Sequence, residues 1–273
     1  MRTETLKSLY TRIKKAGLTK EQTESKVCQE VFVAKVGSDL ELSKRVCYKG
    51  GLILNSLSGG ARGYTKDIDF DFVKYPLSDE GLVSFFERLS SLPPYENIRI
   101  RIESIADLRH RNYRGKRVLL RFEDGEDSFV LLVDVGVYLP LLRKNRLIEY
   151  ELAFGGKTTM LVNPIERTVS EKLSVFAIYG TDNTRDKDLF DAYWLIKRFD
   201  HDRSVVAKML YEMLVRRGHF FKNFDLAKAE MVATLSDKGY QKTLLASRKN
   251  WMGKPLDEVL RTVIAYILGL KVG

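Results

Sequence analysis

The sequence predicts an α/β (α+β) protein in which a mixed-sheet domain is followed by a C-terminal helical bundle. Three observations carry that expectation. Strand-like runs concentrate before Pro164, and helical patterns dominate after it. The run Phe129-Val130-Leu131-Leu132-Val133-Asp134-Val135 is β-branched and nearly continuous in apolar residues, as expected of a central strand. The hexapeptide Asp67-Ile68-Asp69-Phe70-Asp71-Phe72 alternates acid with apolar residue at the two-residue period of a strand.

Taken in order, residues 4–16 and about 20–36 carry helical periodicity, the second with Thr19 as N-cap and Gln22 three residues on. A short strand at 46–49 runs through Gly50-Gly51 into a brief helix ending near Leu57. The turn Ser58-Gly59-Gly60-Ala61-Arg62-Gly63 leads to the acidic strand 67–73. A helix over 79–91 starts after Ser78 and is stopped by Pro93-Pro94. Strands follow at 97–105, 116–123, 128–137, 147–153 and 158–162, with Asp124, Glu126 and Asp127 around Gly125 reading as a hairpin turn. Helices are expected at about 164–179, 186–198, 203–217, 225–234, 237–247 and 255–269. The expected domains are therefore 1–163, N-terminal helices plus mixed sheet, and 164–273, a helical bundle that contributes to the active site.

Composition narrows the class. With 273 residues, 44% of them hydrophobic, the chain fits one large domain or two ordinary ones. A formal charge of +10 favours polyanionic partners. Cys28 and Cys47 have no CxxC spacing and no histidine cluster to complete a zinc site, so both are expected as buried thiols. The N-terminus is charged and lacks an apolar signal core, and the apolar stretch from Phe129 to Leu142, broken by Asp134 and Pro140, is too short to span a bilayer. The expected location is the cytoplasm, without a membrane partner.

The chemistry gathers around the acidic strand. Asp67, Asp69 and Asp71 would share one face, about 7 Å apart along the strand, and would repel unless a cation lies between them. Mg2+ (or Mn2+) takes one or two carboxylates and completes its shell with water and substrate phosphates. Two-metal phosphoryl chemistry draws a further acid from elsewhere, and Asp134, inside the most apolar strand, is the candidate. The alternative for Asp134 is a carboxylate paired with a core arginine or capping a turn. Gly50 and Gly51 let the backbone approach a ligand, with helix-start N–H groups available to phosphate. Arg62 and Thr65 could position a triphosphate, and Asp71 is expected to extend the acidic face toward solvent.

The pattern K-G-G followed by R-x-x-T-x-D-I-D-F resembles the abortive-infection nucleotidyltransferase toxins of the AbiEii/AbiGii type, within the DNA-polymerase-β-like superfamily. Gly51 stands where that superfamily has a serine, leaving only its backbone N–H for phosphate. Residues 164–172 resemble the family's helix with a Glu-Lys pair, and Arg185-Asp186-Lys187-Asp188-Leu189-Phe190-Asp191 its R-x-K-D-x-x-D helix. The resemblance covers roughly residues 45–200. It implies a polymerase-β-like nucleotidyltransferase domain and transfer of NMP from an NTP to an acceptor hydroxyl. It implies metal on Asp67, Asp69 and Asp134, and Lys172 on the phosphates, organised by Asp188 and Asp191. It further implies a separately encoded antitoxin and, in some relatives, tRNA as acceptor.

Residues 98–121 hold eight Lys or Arg against two acids. Of these, Arg109, Arg111, Arg114, Lys116 and Arg117 are the expected contacts to an RNA acceptor. Three other readings remain: a small-molecule nucleotidyltransferase of the antibiotic-modifying kind, a non-catalytic RNA- or protein-binding module, and a metal-dependent nuclease.

Overall fold

A computed structural model describes residues 4–14, 17–108, 115–137 and 144–272. The chain divides into two compact units, one ending at Asn163 and one that takes up the chain from Pro164.

In the first unit, helices α1 (Leu6–Lys14), α2 (Lys20–Ser38) and α3 (Leu42–Arg45) precede strand β1 (Val46–Lys49) and helix α4 (Gly50–Leu57). Strand β2 (Asp67–Phe72) and helix α5 (Asp79–Ser91) follow. Strands β3 (Arg99–Asp107), β4 (Gly115–Glu123), β5 (Ser128–Val137), β6 (Arg146–Glu151) and β7 (Lys157–Val162) complete the unit. The sheet order is β3-β4-β5-β2-β1-β7-β6. It is mixed: β2 runs parallel to β5 and β1 parallel to β7, while the other neighbours are antiparallel. The four-residue α3 carries too little periodicity to be read from sequence.

Alternation decides which way each strand faces. Ile68, Phe70 and Phe72 are fully buried and join Tyr48, Val118, Leu120, Val133 and Val135 in one core with α1, α2 and α5. The ring of Phe70 lies 5.8 Å from that of Phe32 and 6.0 Å from that of Phe85. Helix α2 opens on the expected capping box, Thr19 with Gln22. Its residues are buried on nearly all sides from Val27 to Val36, because it packs against α1, α5, β5 and β7 together.

That burial includes two charges. Glu30 accepts from Lys26 Nζ at 2.6 Å, from the Tyr150 hydroxyl at 2.7 Å and from the Ala153 N–H at 2.7 Å. Lys35 Nζ donates to the carbonyls of Ser90 at 3.0 Å and Leu92 at 2.6 Å, tying α2 to the end of α5. Buried charges are tolerated only with such partners. Both cysteines are buried thiols, and the Cys47 Sγ lies 3.3 Å from the Asn163 Oδ1.

The second unit contains α6 (Ile165–Ile178), α7 (Lys187–Arg198), α8 (Arg203–Tyr211), α9 (Phe224–Ser236), α10 (Lys238–Ala246) and α11 (Leu256–Leu268). Helix α6 is central and packs against α7, α8 and α9. The helix expected over 203–217 changes character: α8 ends at Tyr211 and widens into a π-turn at Glu212–Arg216. Among the described residues no helix is long and apolar enough to cross a membrane.

Burial pushes the Lys35 ammonium down to about 8, with the charge of Glu96 opposing the shift. The unfolded lysine keeps its proton up to about 10.4, so between the two values the unfolded chain binds more protons and stability rises with pH. The expected outcome is a stability difference between wild type and Lys35→Met that grows from pH 8 to 10.5 by on the order of 3 kcal/mol. Urea denaturation across that range measures it; a flat difference would show that Lys35 stays charged in the fold.

Candidate active site

The polar face around β2 is built from four strands. Asp69 is paired in register with Asp134 on parallel β5 and with Lys49 on antiparallel β1. Asp134 is in turn in register with Arg117 on β4. Directly paired residues point to the same side of a sheet, so Asp69, Asp134, Lys49 and Arg117 all lie opposite the core.

The three acids of β2 have different surroundings. Asp67 Oδ1 accepts from the Thr65 hydroxyl at 2.8 Å, and the backbone there is fixed by buried Gln29, whose Nε2 donates to the Thr65 carbonyl at 2.8 Å. Asp69 is half-buried beside Gly50, where an added Cβ would stand 2.1 Å from its Oδ2. Asp71, expected to reach toward solvent, is instead 1% exposed and ion-paired with Lys49 at 2.5 Å. The correction has a simple cause. Lys49 points to the same side as Asp71 and reaches diagonally across the β1–β2 pair to neutralise it.

Asp134 is also engaged. Arg117 donates through Nε to Oδ1 at 2.8 Å and through a terminal nitrogen to Oδ2 at 2.7 Å, a two-pronged clamp on a carboxylate that is 8% exposed. The hydrogen bond to Asp134 raises the Arg117 pKa against the effect of burial, and the charges of Asp134, Asp67 and Asp69 push the same way. The guanidinium therefore sits in the field of all three carboxylates.

The glycine pair forms a cradle against these groups. Gly50, at φ 67°, occupies a backbone region that favours glycine and abuts Asp69. A Cβ on Gly51 would meet the Thr65 hydroxyl oxygen at 2.5 Å and an Arg62 guanidinium nitrogen at 3.0 Å. Arg62 is itself 7% exposed, and its N–H donates to the Ser58 hydroxyl at 3.1 Å. Gly50, Gly51, Arg62 and Thr65 are thus brought together with Asp69 and Asp67 at the start of α4. Backbone N–H groups there, a guanidinium and adjacent carboxylates form a donor set suited to a metal-bound polyphosphate.

A metal shared by Asp67, Asp69 and Asp134 is the expectation that the geometry narrows. Among the described residues no three His, Cys, Asp or Glu side chains are grouped to hold an ion. Asp67 and Asp69, the latter given room by Gly50, still fit an ion that needs one or two carboxylates and takes its other ligands from water and phosphate.

In the second unit, α6 and α7 bring Lys172 together with Asp188 and Asp191. Lys172 Nζ contacts Asp188 Oδ1 closely and lies 3.2 Å from Asp191 Oδ2. Asp191 is fully buried and also accepts from Trp251 Nε1 at 3.1 Å, while Trp251 stacks edge-on against Trp194. Sequence reading placed Lys172, Asp188 and Asp191 but not Trp251, which lies 60 residues from Asp191 and carries no motif.

The expected nucleic-acid contacts fare unevenly. Arg109, Arg111 and Arg114 lie outside the described residues. Lys116 is committed to Asp79 at 2.8 Å and Asp107 at 2.9 Å, and Arg117 to Asp134. Arg101 pairs with Glu123 and Arg121 with Glu103 across β3 and β4. Cross-strand register, invisible in a one-dimensional count of charges, supplies the acids.

The model of a protein family described as nucleotidyl transferase AbiEii toxin, type IV TA system, matches residues 38–260. Among solved structures, one described as “putative nucleotidyltransferase from H. pylori” is 19% identical, with a TM-score of 0.48, over 92% of this chain and 95% of its own. JHP933 from Helicobacter pylori is 18% identical, with a TM-score of 0.43, over 84% of this chain and 96% of its own. No curated protein matches the chain.

Gly50 and Gly59 separate backbone strain from crowding at Asp69. Both have positive φ, yet a Cβ on Gly59 meets nothing within 4 Å. Gly59→Ala is expected to lose about 1 kcal/mol from backbone conformation alone, and Gly50→Ala more, because its Cβ would also crowd Asp69. Binding of a magnesium nucleotide should fall at least tenfold in Gly50→Ala alone. Thermal melts and calorimetric titration check the pair; equal nucleotide affinity in both variants would remove Gly50 from the site.

Proposed function

The chain belongs to the AbiEii nucleotidyltransferase toxin family, and from that premise we propose that it moves NMP from an NTP to an RNA hydroxyl, with tRNA as the acceptor, in a metal-dependent reaction. The observation that carries the reading is the register of Asp69 with Asp134, beside a glycine cradle that touches Asp69, Thr65 and Arg62. The family is that of a type IV toxin–antitoxin system, and we extend this to a cognate antitoxin for the present chain.

In this reading the acceptor oxygen forms a bond to the α-phosphorus, the bond from that phosphorus to the β-phosphate bridging oxygen breaks, and pyrophosphate leaves. Asp67 and Asp69 would hold Mg2+ (or Mn2+), which when bound offsets triphosphate charge. Gly50 and Gly51 admit the phosphates to the backbone N–H groups of α4. Arg62 offsets the negative charge that grows on the leaving pyrophosphate. Asp134 takes the proton of the attacking hydroxyl. Lys172, held by Asp188 and Asp191, is assigned by the family motif to phosphate neutralisation as well.

The acceptor is argued from charge. A formal +10 favours a polyanion, and a helix of phosphates would exchange readily for surface carboxylates, whose ion pairs are individually weak. One observation favours a compact, small-molecule acceptor instead: Arg101, Lys116, Arg117 and Arg121 each already face a carboxylate.

Incubation of the purified chain with Mg2+, each α-32P-labelled NTP in turn and total RNA distinguishes these readings. Label is expected in tRNA, and to fall by at least a hundredfold in Asp69→Asn and in Lys172→Ala. Label on a small molecule only would transfer the assignment to the compact acceptor. RNA shortened without label would replace nucleotidyl transfer by nuclease action.

A further inference from the structure

Arg117, expected as an RNA contact, is instead committed to Asp134, the carboxylate expected to help hold metal. Its two nitrogens face both oxygens of Asp134, at 2.8 and 2.7 Å. The pairing is set by the sheet, because Arg117 and Asp134 are register partners of β4 and β5. A guanidinium stays protonated at any working pH and presents its donors in a rigid fork that suits a carboxylate. Asp134 is 8% exposed, so dissolving the clamp would leave an unpaired carboxylate with little water.

We propose that Arg117 is a resident cation that replaces the second metal: the site takes one divalent ion, on Asp67 and Asp69, and Arg117 neutralises Asp134. The inference rests on the metal-dependent reading above. Charge supports it, because Asp134 already has a fixed cation in Arg117. A second divalent ion would have to approach Asp134 against the positive guanidinium or displace it.

A carboxylate has about four lone-pair positions, and the fork uses one on each oxygen. Arg117 is thus a positioning residue that fixes the orientation of Asp134, and its charge, not the number of lone pairs left, disfavours an ion there.

Native mass spectrometry of the intact chain counts ions directly, with Mn2+ and each α,β-methylene nucleoside triphosphate in turn. One Mn2+ per nucleotide-bound wild-type chain is expected, and two in Arg117→Ala, where Asp134 is released. Two ions in the wild type overturn the proposal and leave the nucleotidyltransferase reading standing. A single ion in Arg117→Ala also overturns it. A wild-type chain that binds nucleotide without any ion, or binds none of the four analogues, overturns the metal-dependent reading and this inference with it. If Arg117→Ala does not fold, Arg117→Met and the wild-type count decide, since one ion against two is read on the native chain.

Discussion

Four aspartates on one face of two hydrogen-bonded strands repel one another unless each is given a compensating neighbour, and much of the first unit's local structure answers that demand. Asp67 receives a hydroxyl from Thr65, Asp71 an ammonium from Lys49, and Asp134 a guanidinium from Arg117. Asp69 sits at the centre, in register with both Lys49 and Asp134, and its side chain has room only because Gly50 lacks a Cβ. The core side of β2 imposes the complementary demand. Ile68, Phe70 and Phe72 are all fully buried, so no slip of register could move an acid out of this group without placing it in the core.

Sequence reading recovered what periodicity and turn chemistry determine. The alternation 67–72 assigned the faces of β2 correctly, and the Gly125 hairpin and the capping box at Thr19 are found where the residues put them. Pairings between distant residues were harder, although one was within reach. Counting outward from the hairpin, with Glu123 opposite Ser128, brings Arg117 opposite Asp134. The residue pattern of β5 alone leaves the partner of Asp134 open; the hairpin register supplies it. The basic run 98–121 is partly paired for the same reason: Asp79, Asp107, Glu103 and Glu123 reach it only through sheet register and a neighbouring helix.

The second unit shows the limit of motif reading from the other side. Lys172, Asp188 and Asp191 were placed by resemblance, and α6 and α7 do bring them into contact. Burial sets them apart from ordinary first-turn acids beside a surface lysine, since Asp191 is fully buried and Asp188 5% exposed. Two acids around one lysine leave a negative excess, which Arg185 at 3.8 Å from Asp188 and the Trp251 N–H on Asp191 help to offset. Trp251 contributes to this group from the loop before α11, a position that local sequence cannot connect to α7.

Position along β2 explains why its three acids differ. Asp71 lies deeper in the strand, between β1 and β5, where water is scarce and a carboxylate needs a permanent partner. Lys49 meets that need from the last residue of β1. Asp67 and Asp69 lie toward the entry of β2, level with the point where β1 gives way to α4 and the backbone turns out of the sheet at Gly50. Backbone N–H groups of a helix start come free of the ladder at that same level. Carboxylates and amide donors therefore meet at one end of β2 only. A lysine that neutralises Asp71 keeps the acidic character confined to that end, so in the proposed reaction an ion and phosphates would be directed to Asp67 and Asp69, not along the whole strand.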